Sequence, residues 1–247
     1  MSSIRPTTLV LLPGMDGTGC LFAPFLKELP DWVKPIVVSY PTDQPLDYKG
    51  HLDIVMAALP VDGPFVLLGE SFSGPLALMA AARHPKGLCG VILCATFVTW
   101  PLPLPTSIAA LFVSLGLFRL KSQPLFLRIL LGRNATYELR SLFSEVLARL
   151  KPETLTARAR AVMDVNCSVE LRECRVPILT MVADNDRIVA GRCSELIHHI
   201  RPDTENVHFR SPHLILQCDT LEAVKHICRF VELIRKKSNH LSEGSES

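Results

Sequence analysis

The chain has 247 residues, of which 48 % are hydrophobic, and its formal net charge at pH 7 is +2. This length fits one globular domain, or one domain with an inserted segment, and the composition supplies enough apolar residues to fill a large core. The small net charge, without a dense block of lysine and arginine, excludes nucleic acid as an electrostatically favoured partner.

Membrane, metal and secretion signals are weak in this sequence. The segment 108–118 is apolar nearly all round, but it is too short to span a bilayer and is followed by Arg119 and Lys121; weak peripheral association through it is left open. The eight cysteines are scattered singly, without the spacing of a zinc site, so we expect no metal. The first apolar run begins too close to Met1 for a signal peptide, which favours a cytoplasmic protein.

Short apolar runs alternate with helical patterns along most of the chain, which is typical of a parallel sheet covered by helices on both faces. The pattern predicts strands at 8–12, 35–39, 65–68, 91–95, 178–183 and 206–209. It predicts helices at 20–29, 48–59, 73–84, 192–200 and 220–236. The last helix has a predicted apolar stripe formed by Leu221, Val224, Cys228, Val231 and Ile234. We therefore expect an α/β fold with a mostly parallel sheet of about six strands.

The alternation of strands and helices is interrupted after about residue 98. The interrupting segment opens with the proline-rich stretch WPLPLPTS and then becomes helical. One helix in it has an apolar side formed, at a spacing of three to four residues, by Leu139, Leu142, Phe143, Val146, Leu147 and Leu150. The predicted organisation is a core of residues 1–98 and 176–237, a helical lid at 99–175 and a disordered tail at 238–247.

The sequence FVLLGESFSGPLALMAAA (65–82) places a serine between an apolar strand and an alanine-rich helix. Nucleophilic serine catalysis needs an exposed hydroxyl next to backbone N–H groups that can bind a developing oxyanion, and a tight strand-to-helix turn supplies both. The segment GESFS departs from the G-x-S-x-G pattern only at its last position, where serine is still small. Ser71 is the predicted nucleophile. Ser73 is its rival, although it would lie inside the helix without a glycine two residues before it.

A glycine-rich loop, LPGMDGTG (12–19), follows the first strand. Such a loop lets the backbone N–H of Met15 point towards the serine and form, with the N–H of Phe72, a two-donor oxyanion hole. A phosphate-binding loop is the alternative, but the segment lacks the P-loop lysine, and Asp16 would repel a phosphate. We also expect Gly14 in this loop and Trp100 at the entrance of the lid to contact the substrate.

Two acids and two histidines compete for the remaining roles. Asp184 and Asp186 follow the fifth predicted strand; we prefer Asp186 because the chain turns back into an apolar segment just beyond it, and Asp184 stays an alternative. His208 lies within the last strand, where it would face a packed layer, whereas His213 lies in the loop after it and can reach across to a serine. The predicted partners of Ser71 are therefore Asp186 as the acid and His213 as the base.

The order glycine-rich loop, nucleophile turn, lid, acid and base resembles the α/β-hydrolase superfamily, in its esterase/lipase branch, over about residues 7–236. LPGMDGTG and GESFSG are also similar to the esterase-like segment of phytyl-ester synthase and diacylglycerol acyltransferase-type proteins. The resemblance implies an α/β-hydrolase fold with a helical cap inserted after the sixth strand of the family fold, and a catalytic triad in the order serine, aspartate, histidine. Two positions depart from the family pattern: Pro13 stands where many members have histidine, and Ser73 stands where they have glycine.

These features predict a serine hydrolase that cleaves a carboxylic ester through an acyl-enzyme and needs no cofactor. The apolar lid predicts that its small-molecule partner is an ester with an apolar acyl or alcohol part. An acyltransferase with an alcohol acceptor is the alternative within catalysis, because the two activities differ only in whether water or an alcohol resolves the acyl-enzyme. A non-catalytic binding protein on the same fold is the alternative from another class.

Overall fold

A parallel sheet lies at the centre of the computed structural model, which describes residues 6–102, 105–108, 124–132 and 135–243. Its strands are β1 (Thr7–Leu12), β2 (Val33–Val37), β3 (Phe65–Glu70), β4 (Leu88–Cys94), β5 (Ile178–Ala183) and β6 (Glu205–Phe209). In these described ranges the sheet has six strands in the order β2-β1-β3-β4-β5-β6, and neighbouring strands are parallel. The predicted α/β fold is confirmed, and each observed strand overlaps a predicted one.

Helices flank the sheet and fill the interval between β4 and β5. In chain order they are α1 (Ala23–Lys27), α2 (Tyr48–Ala58), α3 (Gly74–Ala81), α4 (Pro124–Leu131), α5 (Tyr137–Arg149), α6 (Pro152–Asp164), α7 (Ser168–Glu173), α8 (Arg192–Ile200), α9 (Ile215–Cys218) and α10 (Thr220–Glu243). Helices α4 to α7 lie in the segment predicted as the lid. The apolar segment 108–118 lies, apart from its first residue, outside the described residues. No helix in the part of the chain that is described has the length and apolar character needed to cross a membrane.

Side chains on both faces of the inner strands β1, β3, β4 and β5 are mostly buried, whereas the edge strands β2 and β6 are mostly exposed or partly buried. Leu9 and Leu11 of β1 pack in a hydrophobic cluster with residues of α1 and α10, whereas Val10 and Leu12 pack in a second cluster with residues of α2 and α3. Successive side chains of a strand point to opposite faces, so a strand covered on both sides is apolar at nearly every position. This explains why continuous apolar runs, rather than alternating ones, predicted the strands correctly.

Helices of the segment predicted as the lid contribute most of a third hydrophobic cluster. Its buried members on the lid are Leu130, Leu131, Leu139, Phe143, Val146, Leu147, Leu150 and Leu155. Leu21 and Leu214 of the core pack into the same cluster, which joins the lid to the loops at the carboxyl ends of the strands. The predicted apolar side of α5 is confirmed, with Leu142 partly buried at its margin.

The last helix differs from its prediction in length and in orientation. It continues to Glu243, past the predicted boundary at 237 and into the segment expected to be disordered, because no glycine or proline interrupts the sequence before Gly244. Its buried face consists of Ala223, Ile227, Phe230, Val231 and Ile234. Leu221, expected on the apolar stripe, is instead 70 % exposed, so that part of the predicted stripe is wrong.

Candidate active site

The turn between β3 and α3 holds Ser71 in a strained backbone conformation. Ser71 has a φ of 50°, in the left-handed region that residues other than glycine rarely adopt. The turn is tight: a Cβ added to Gly69 would lie 2.4 Å from the carbonyl oxygen of Ser73, so glycine is required there. The Thr96 hydroxyl donates a hydrogen bond to the Ser71 carbonyl oxygen and supports this conformation from β4's side. The Ser71 hydroxyl is thus held at the carboxyl end of β3.

Phe72 fixes this turn to the core. Its ring stacks on the Tyr48 ring with centroids 4.8 Å apart, and Tyr40 and His51 contact it edge-on. The Tyr48 hydroxyl also donates to the Phe72 carbonyl oxygen at 3.0 Å. Phe72 lies in the first turn of a helical segment, where backbone N–H groups have no intrahelical acceptor. Its N–H is therefore suited to binding an anion beside Ser71.

Ser71, His213 and Asp186 form one hydrogen-bonded row. Nε2 of His213 lies 2.8 Å from Ser71 Oγ, and Nδ1 of His213 lies 2.6 Å from Asp186 Oδ2. The other carboxylate oxygen of Asp186 accepts hydrogen bonds from the N–H groups of Ile188 at 2.7 Å and Val189 at 2.9 Å. The side chains of His213 and Asp186 are almost wholly buried. In this arrangement the Nδ1–H donates to Asp186, and the Nε2 lone pair faces the serine hydroxyl.

The competing acid and histidine pair with each other. Asp184 Oδ1 lies 2.8 Å from Nδ1 of His208, and both of these side chains are substantially exposed. The turn after β5 thus directs Asp184 to the surface and Asp186 to the interior. Of the two aspartates, the structure brings Asp186 to His213.

The two departures from the family pattern contact each other. Ser73 is fully buried, and its hydroxyl donates to the carbonyl oxygen of Pro13 and lies 2.8 Å from the Tyr40 hydroxyl. A glycine at position 73 could make neither contact. Ser73 therefore joins the nucleophile turn to the loop after β1. Its hydroxyl is directed at Pro13 and Tyr40 rather than at His213, which weakens its case as a nucleophile.

The loop after β1 passes directly beside Ser71. A Cβ added to Gly14 would lie 3.8 Å from the Ser71 Cβ, so the loop backbone approaches the nucleophile turn closely. The Asp16 carboxylate accepts hydrogen bonds from the N–H of Thr18 at 2.9 Å and from its hydroxyl at 2.7 Å, which tightens the loop. The backbone N–H of Met15 donates to no acceptor within the described residues. An oxyanion donor needs an N–H group that is not already engaged, so Met15 stays the predicted donor.

Two carboxyl groups are buried near the row. Burial raises the pKa of Glu70 to about 7, and its Oε1 has no hydrogen-bond partner in the described ranges, although the Gln217 amide lies beside it. Burial also raises the pKa of Asp16, while hydrogen bonds within its loop and the charge of Arg158 oppose that rise. Glu70 interacts electrostatically with His213, and no motif in the sequence indicated this relation. Among the described residues, no group of three or more His, Cys, Asp or Glu side chains is placed to hold a metal ion.

A cavity of about 1080 Å³ opens beside the row, between the lid and the core. Its lining residues include Ala23, Leu131, Leu139, Leu142, Arg187 and Arg210. Ser71, Asp186, His213 and Trp100 are all absent from the described residues that line it, although neighbours of Asp186 and His213 along the chain are present. Trp100 is partly buried and packs against the core cluster that includes α2 and α3. Its contact with a substrate therefore stays a prediction.

Arg158 of α6 was missed by the sequence analysis. It is fully buried and contacts the loop after β1. Its position in the helical repeat could have revealed it. Arg158 falls on the face of α6 that is buried with Leu155, Ala159 and Val162, whereas Arg160 is exposed. Arginine is almost never fully buried unless it is paired, so an arginine at this phase indicates a specific partner.

A family model described as "Alpha/beta hydrolase family" matches residues 9–230. The chain therefore belongs to the alpha/beta hydrolase family and is, at the level of class, a hydrolase. This confirms the resemblance seen in the loop after β1 and in the nucleophile turn.

Solved structures from several organisms share this fold. The chain is similar to an esterase (EaEST) from Exiguobacterium antarcticum, with a TM-score of 0.79, 16 % identity and 92 % of each chain covered. It is similar to an enol-lactonase from Burkholderia xenovorans, with a TM-score of 0.78, 15 % identity and 94 % of each chain covered. A third similar structure belongs to work on carboxylesterases of Nitrososphaera gargenis, with a TM-score of 0.77, 16 % identity, and 96 % of this chain and 94 % of that chain covered.

One curated relative shares a shorter segment. Phytyl ester synthase 1, chloroplastic, from Arabidopsis thaliana is 36 % identical to this chain over 83 residues. The match covers 31 % of this chain and 12 % of the length of that relative. It agrees with the similarity to ester-synthase segments that the loop and turn motifs indicated.

Proposed function

We propose that the chain hydrolyses a carboxylic ester through an acyl-enzyme formed on Ser71. The observation that carries this proposal is the hydrogen-bonded row of Ser71, His213 and Asp186. As Ser71 Oγ attacks the carbonyl carbon, Nε2 of His213 accepts the hydroxyl proton, and Asp186 orients the ring and stabilises the imidazolium. The tetrahedral intermediate then breaks the ester C–O bond, and His213 gives its proton to the leaving alcohol.

The second half of the reaction repeats the first with water as the nucleophile. Nε2 of His213, neutral again after the alcohol has left, accepts a proton from a water molecule that attacks the acyl carbon. The second intermediate releases the carboxylic acid, and the proton returns to Ser71 Oγ. Serine, histidine and aspartate suffice for this chemistry, so the proposal needs no cofactor.

We assign the oxyanion hole to the backbone N–H groups of Met15 and Phe72. Two observations support this assignment: Gly14, which precedes Met15, approaches Ser71 closely, and Phe72 follows Ser71 at the start of the helical turn. Each donor of such a hole contributes roughly 3 kcal/mol to transition-state stabilisation. The burial of the Phe72 ring and the bonds of the loop keep both donors fixed before a substrate binds.

We propose that the substrate has an apolar acyl or alcohol part, which Gly14 and Trp100 help to bind. The cavity near the row offers leucines of α4 and α5 as an apolar wall for such a part, together with charged lining residues such as Arg187 and Arg210. The names of the similar structures also fit, since an esterase, an enol-lactonase and carboxylesterases are named for ester bonds. A non-catalytic binding protein is the weaker alternative, because binding alone would not require a connected row with a serine at a strained turn.

Acyl transfer to an alcohol is the second candidate function. The specific observation in its favour is the partial match to a protein named as an ester synthase. The acyl-enzyme on Ser71 is common to both activities, and the outcome depends on whether water or an alcohol reaches it. A long-chain alcohol added during turnover separates the two: a new ester product favours the transferase, and free acid alone favours the hydrolase.

The proposal is tested with a series of p-nitrophenyl esters of increasing acyl length, using the wild type, Ser71→Ala and Ser141→Ala. Ser141 is the matched control because its hydroxyl is on α5 and lies 3.3 Å from Glu145, away from the row. We expect turnover in the wild type and in Ser141→Ala, and none above background in Ser71→Ala. A fluorophosphonate probe should label Ser71, as located by peptide mass spectrometry. Turnover that survives in Ser71→Ala would remove the proposed nucleophile.

We also propose that the protein acts in the cytoplasm, with no nucleic-acid partner. All eight cysteines are free thiols, which fits a reducing compartment. Fractionation of cells that express the tagged chain tests this proposal, and recovery of the tag in secreted material would contradict it.

A further inference from the structure

A fully buried arginine of the lid is bonded to the loop after β1. Arg158, on α6, donates from Nη1 to the carbonyl oxygens of Met15 at 2.7 Å and Asp16 at 2.9 Å. Its Nη2 donates to the carbonyl oxygen of Pro41 at 2.8 Å, and its Nε lies 3.3 Å from Nε2 of His51. Backbone carbonyl dipoles therefore replace water around a charge that would otherwise be costly to bury. Two of these carbonyls belong to consecutive residues of one loop.

The loop is shaped to receive this side chain. Gly17 has a φ of 74°, and a Cβ there would lie 2.5 Å from Nη1 of Arg158. The Gly17 N–H donates to the Gly14 carbonyl oxygen at 3.0 Å, and the Gly17 carbonyl accepts from the Tyr40 N–H at 2.6 Å. Only glycine combines this backbone conformation with room for the guanidinium. The glycine of the loop and the arginine of the lid are thus complementary.

The bonds from Nη1 act on the peptide that carries the Met15 N–H indirectly, through the Gly17 N–H that donates to the Gly14 carbonyl oxygen. Each peptide unit is planar, so a carbonyl held in place also fixes the N–H group of the following residue. The carbonyls of Met15 and Asp16 define two successive planes, and the Met15 N–H belongs to the plane just before them. The Asp16 carbonyl shares its plane with the Gly17 N–H, and the Gly14 carbonyl shares its plane with the Met15 N–H. The hydrogen bond from the Gly17 N–H to the Gly14 carbonyl oxygen therefore connects the part of the loop held by Arg158 to the Met15 N–H. If the guanidinium is removed, the Met15 and Asp16 carbonyls lose their side-chain donor, and the Asp16–Gly17 peptide that supports the Gly14 carbonyl is less firmly held.

We propose that Arg158 is a positioning residue that holds the Met15 N–H in the direction needed to bind the oxyanion. The lid helix α6 thereby takes part in transition-state stabilisation, in addition to covering the core. This inference rests on the proposed function, because Met15 is an oxyanion donor only in that function. The competing explanation is that Arg158 merely anchors the lid through Pro41 and His51.

The two explanations differ in which kinetic constant changes. Positioning of the oxyanion donor affects the transition state, so its loss lowers kcat while KM changes little. Loss of a lid anchor lowers stability or weakens substrate binding, which raises KM. Misplacement of a catalytic donor by about 1 Å can cost about 100-fold in rate.

The test compares Arg158→Met, Arg158→Lys and the matched control Arg160→Met, an exposed arginine on the same helix. The measurements are kcat and KM for p-nitrophenyl butyrate, the second-order rate of labelling by a fluorophosphonate, and thermal unfolding. We expect kcat and the labelling rate to fall together by about 10- to 100-fold in Arg158→Met, with KM within about threefold. Arg158→Lys keeps the charge but has one nitrogen in place of a planar fork, so it should recover only part of the loss. Arg160→Met should behave as the wild type.

Several results would overturn the inference. One is a folded Arg158→Met with wild-type kcat and labelling; another is a variant in which only KM or only the unfolding temperature changes. If Arg158→Met does not fold, Arg158→Lys decides, and wild-type kcat in a stably folded Arg158→Lys refutes positioning. Failure of the proposed function itself looks different, because the wild type would then neither turn over the ester nor be labelled at Ser71.

Discussion

The hydrogen bonds of Asp186 predict that the substitution Asp186→Asn places the proton of His213 on the wrong ring nitrogen. In Asp186→Asn, the amide oxygen is expected to take the position that accepts the N–H groups of Ile188 at 2.7 Å and Val189 at 2.9 Å. The amide NH₂ then faces Nδ1 of His213 and donates to it. The imidazole proton consequently moves to Nε2, which points an N–H at Ser71 and cannot accept the serine proton.

The size of the effect follows from the cost of the opposite orientation. Turning the amide round would leave two buried backbone N–H groups facing an NH₂, at about 1–3 kcal/mol for each unpaired group. The productive tautomer is therefore populated to about 3 % or less, since each 1.36 kcal/mol is about a factor of ten. The variant also loses the carboxylate charge that stabilises the imidazolium. We expect kcat for p-nitrophenyl butyrate to fall by about 10³- to 10⁴-fold, as for other triads with this change.

The control is Asp184→Asn, which makes the same chemical change two residues away, where Asp184 meets the exposed His208. Its kcat should stay within about twofold of the wild type, and both variants should unfold at similar temperatures. A folded Asp186→Asn with activity within tenfold of the wild type would refute the assignment of Asp186. Loss of activity in Asp184→Asn instead would transfer the acid role to the other aspartate.

Two further substitutions test the surroundings of the row. Glu70→Gln should flatten the pH dependence of stability: the pKa of Glu70 in the fold is about 7 against an ordinary 4.5, so its stabilising contribution is full below about pH 4.5 and declines by about 3 kcal/mol as the pH rises to about 7. Urea unfolding at several pH values between 4.5 and 8 measures this, and equal slopes in wild type and variant would contradict it. Ser73→Ala should cost about 1–3 kcal/mol in unfolding free energy, because the Tyr40 hydroxyl and the Pro13 carbonyl lose a buried partner. Phosphonate labelling of Ser71 should persist in that variant; its loss in a folded protein would implicate Ser73 in the chemistry.

Much of the sheet could be predicted because strands buried on both faces carry a strong local signal. The run Ile178–Ala183 was predicted with both of its ends as observed. The buried face of the last helix was harder to predict, because apolar residues lie on more than one side of it. Leu221 is exposed, while Ala223 and Ile227 are buried. Which stripe of such a helix faces inward depends on how it packs against β4 and α1, and periodicity alone does not contain that information.

The parts of the site that lie in one continuous segment of the chain could be predicted. The contacts between residues that are far apart in the chain could not. The segment around Ser71 carries its own signal, because an apolar strand, a small-residue turn and a helix are adjacent in the chain. The sequence around Arg158 contains no signal of its role beyond its helical phase, because its partners Met15 and Asp16 are more than a hundred positions away. The sequence shows that Ser73 departs from the family pattern. It does not show that the Ser73 hydroxyl bonds to the carbonyl oxygen of Pro13, the other residue that departs from it.

The sequence by itself determined the α/β fold and the strand-to-helix turn at Ser71, because both were read from patterns of residues that are neighbours along the chain. It also determined the order of the candidate groups, since each group lies in a local segment that could be recognised separately. Only the tertiary structure decided that His213 bonds to Asp186, whereas His208 bonds to Asp184. It also decided that Arg158 donates hydrogen bonds to the loop after β1. The physical reason is that a side chain's direction in a turn is set by backbone torsions, and contacts between distant segments fix those torsions.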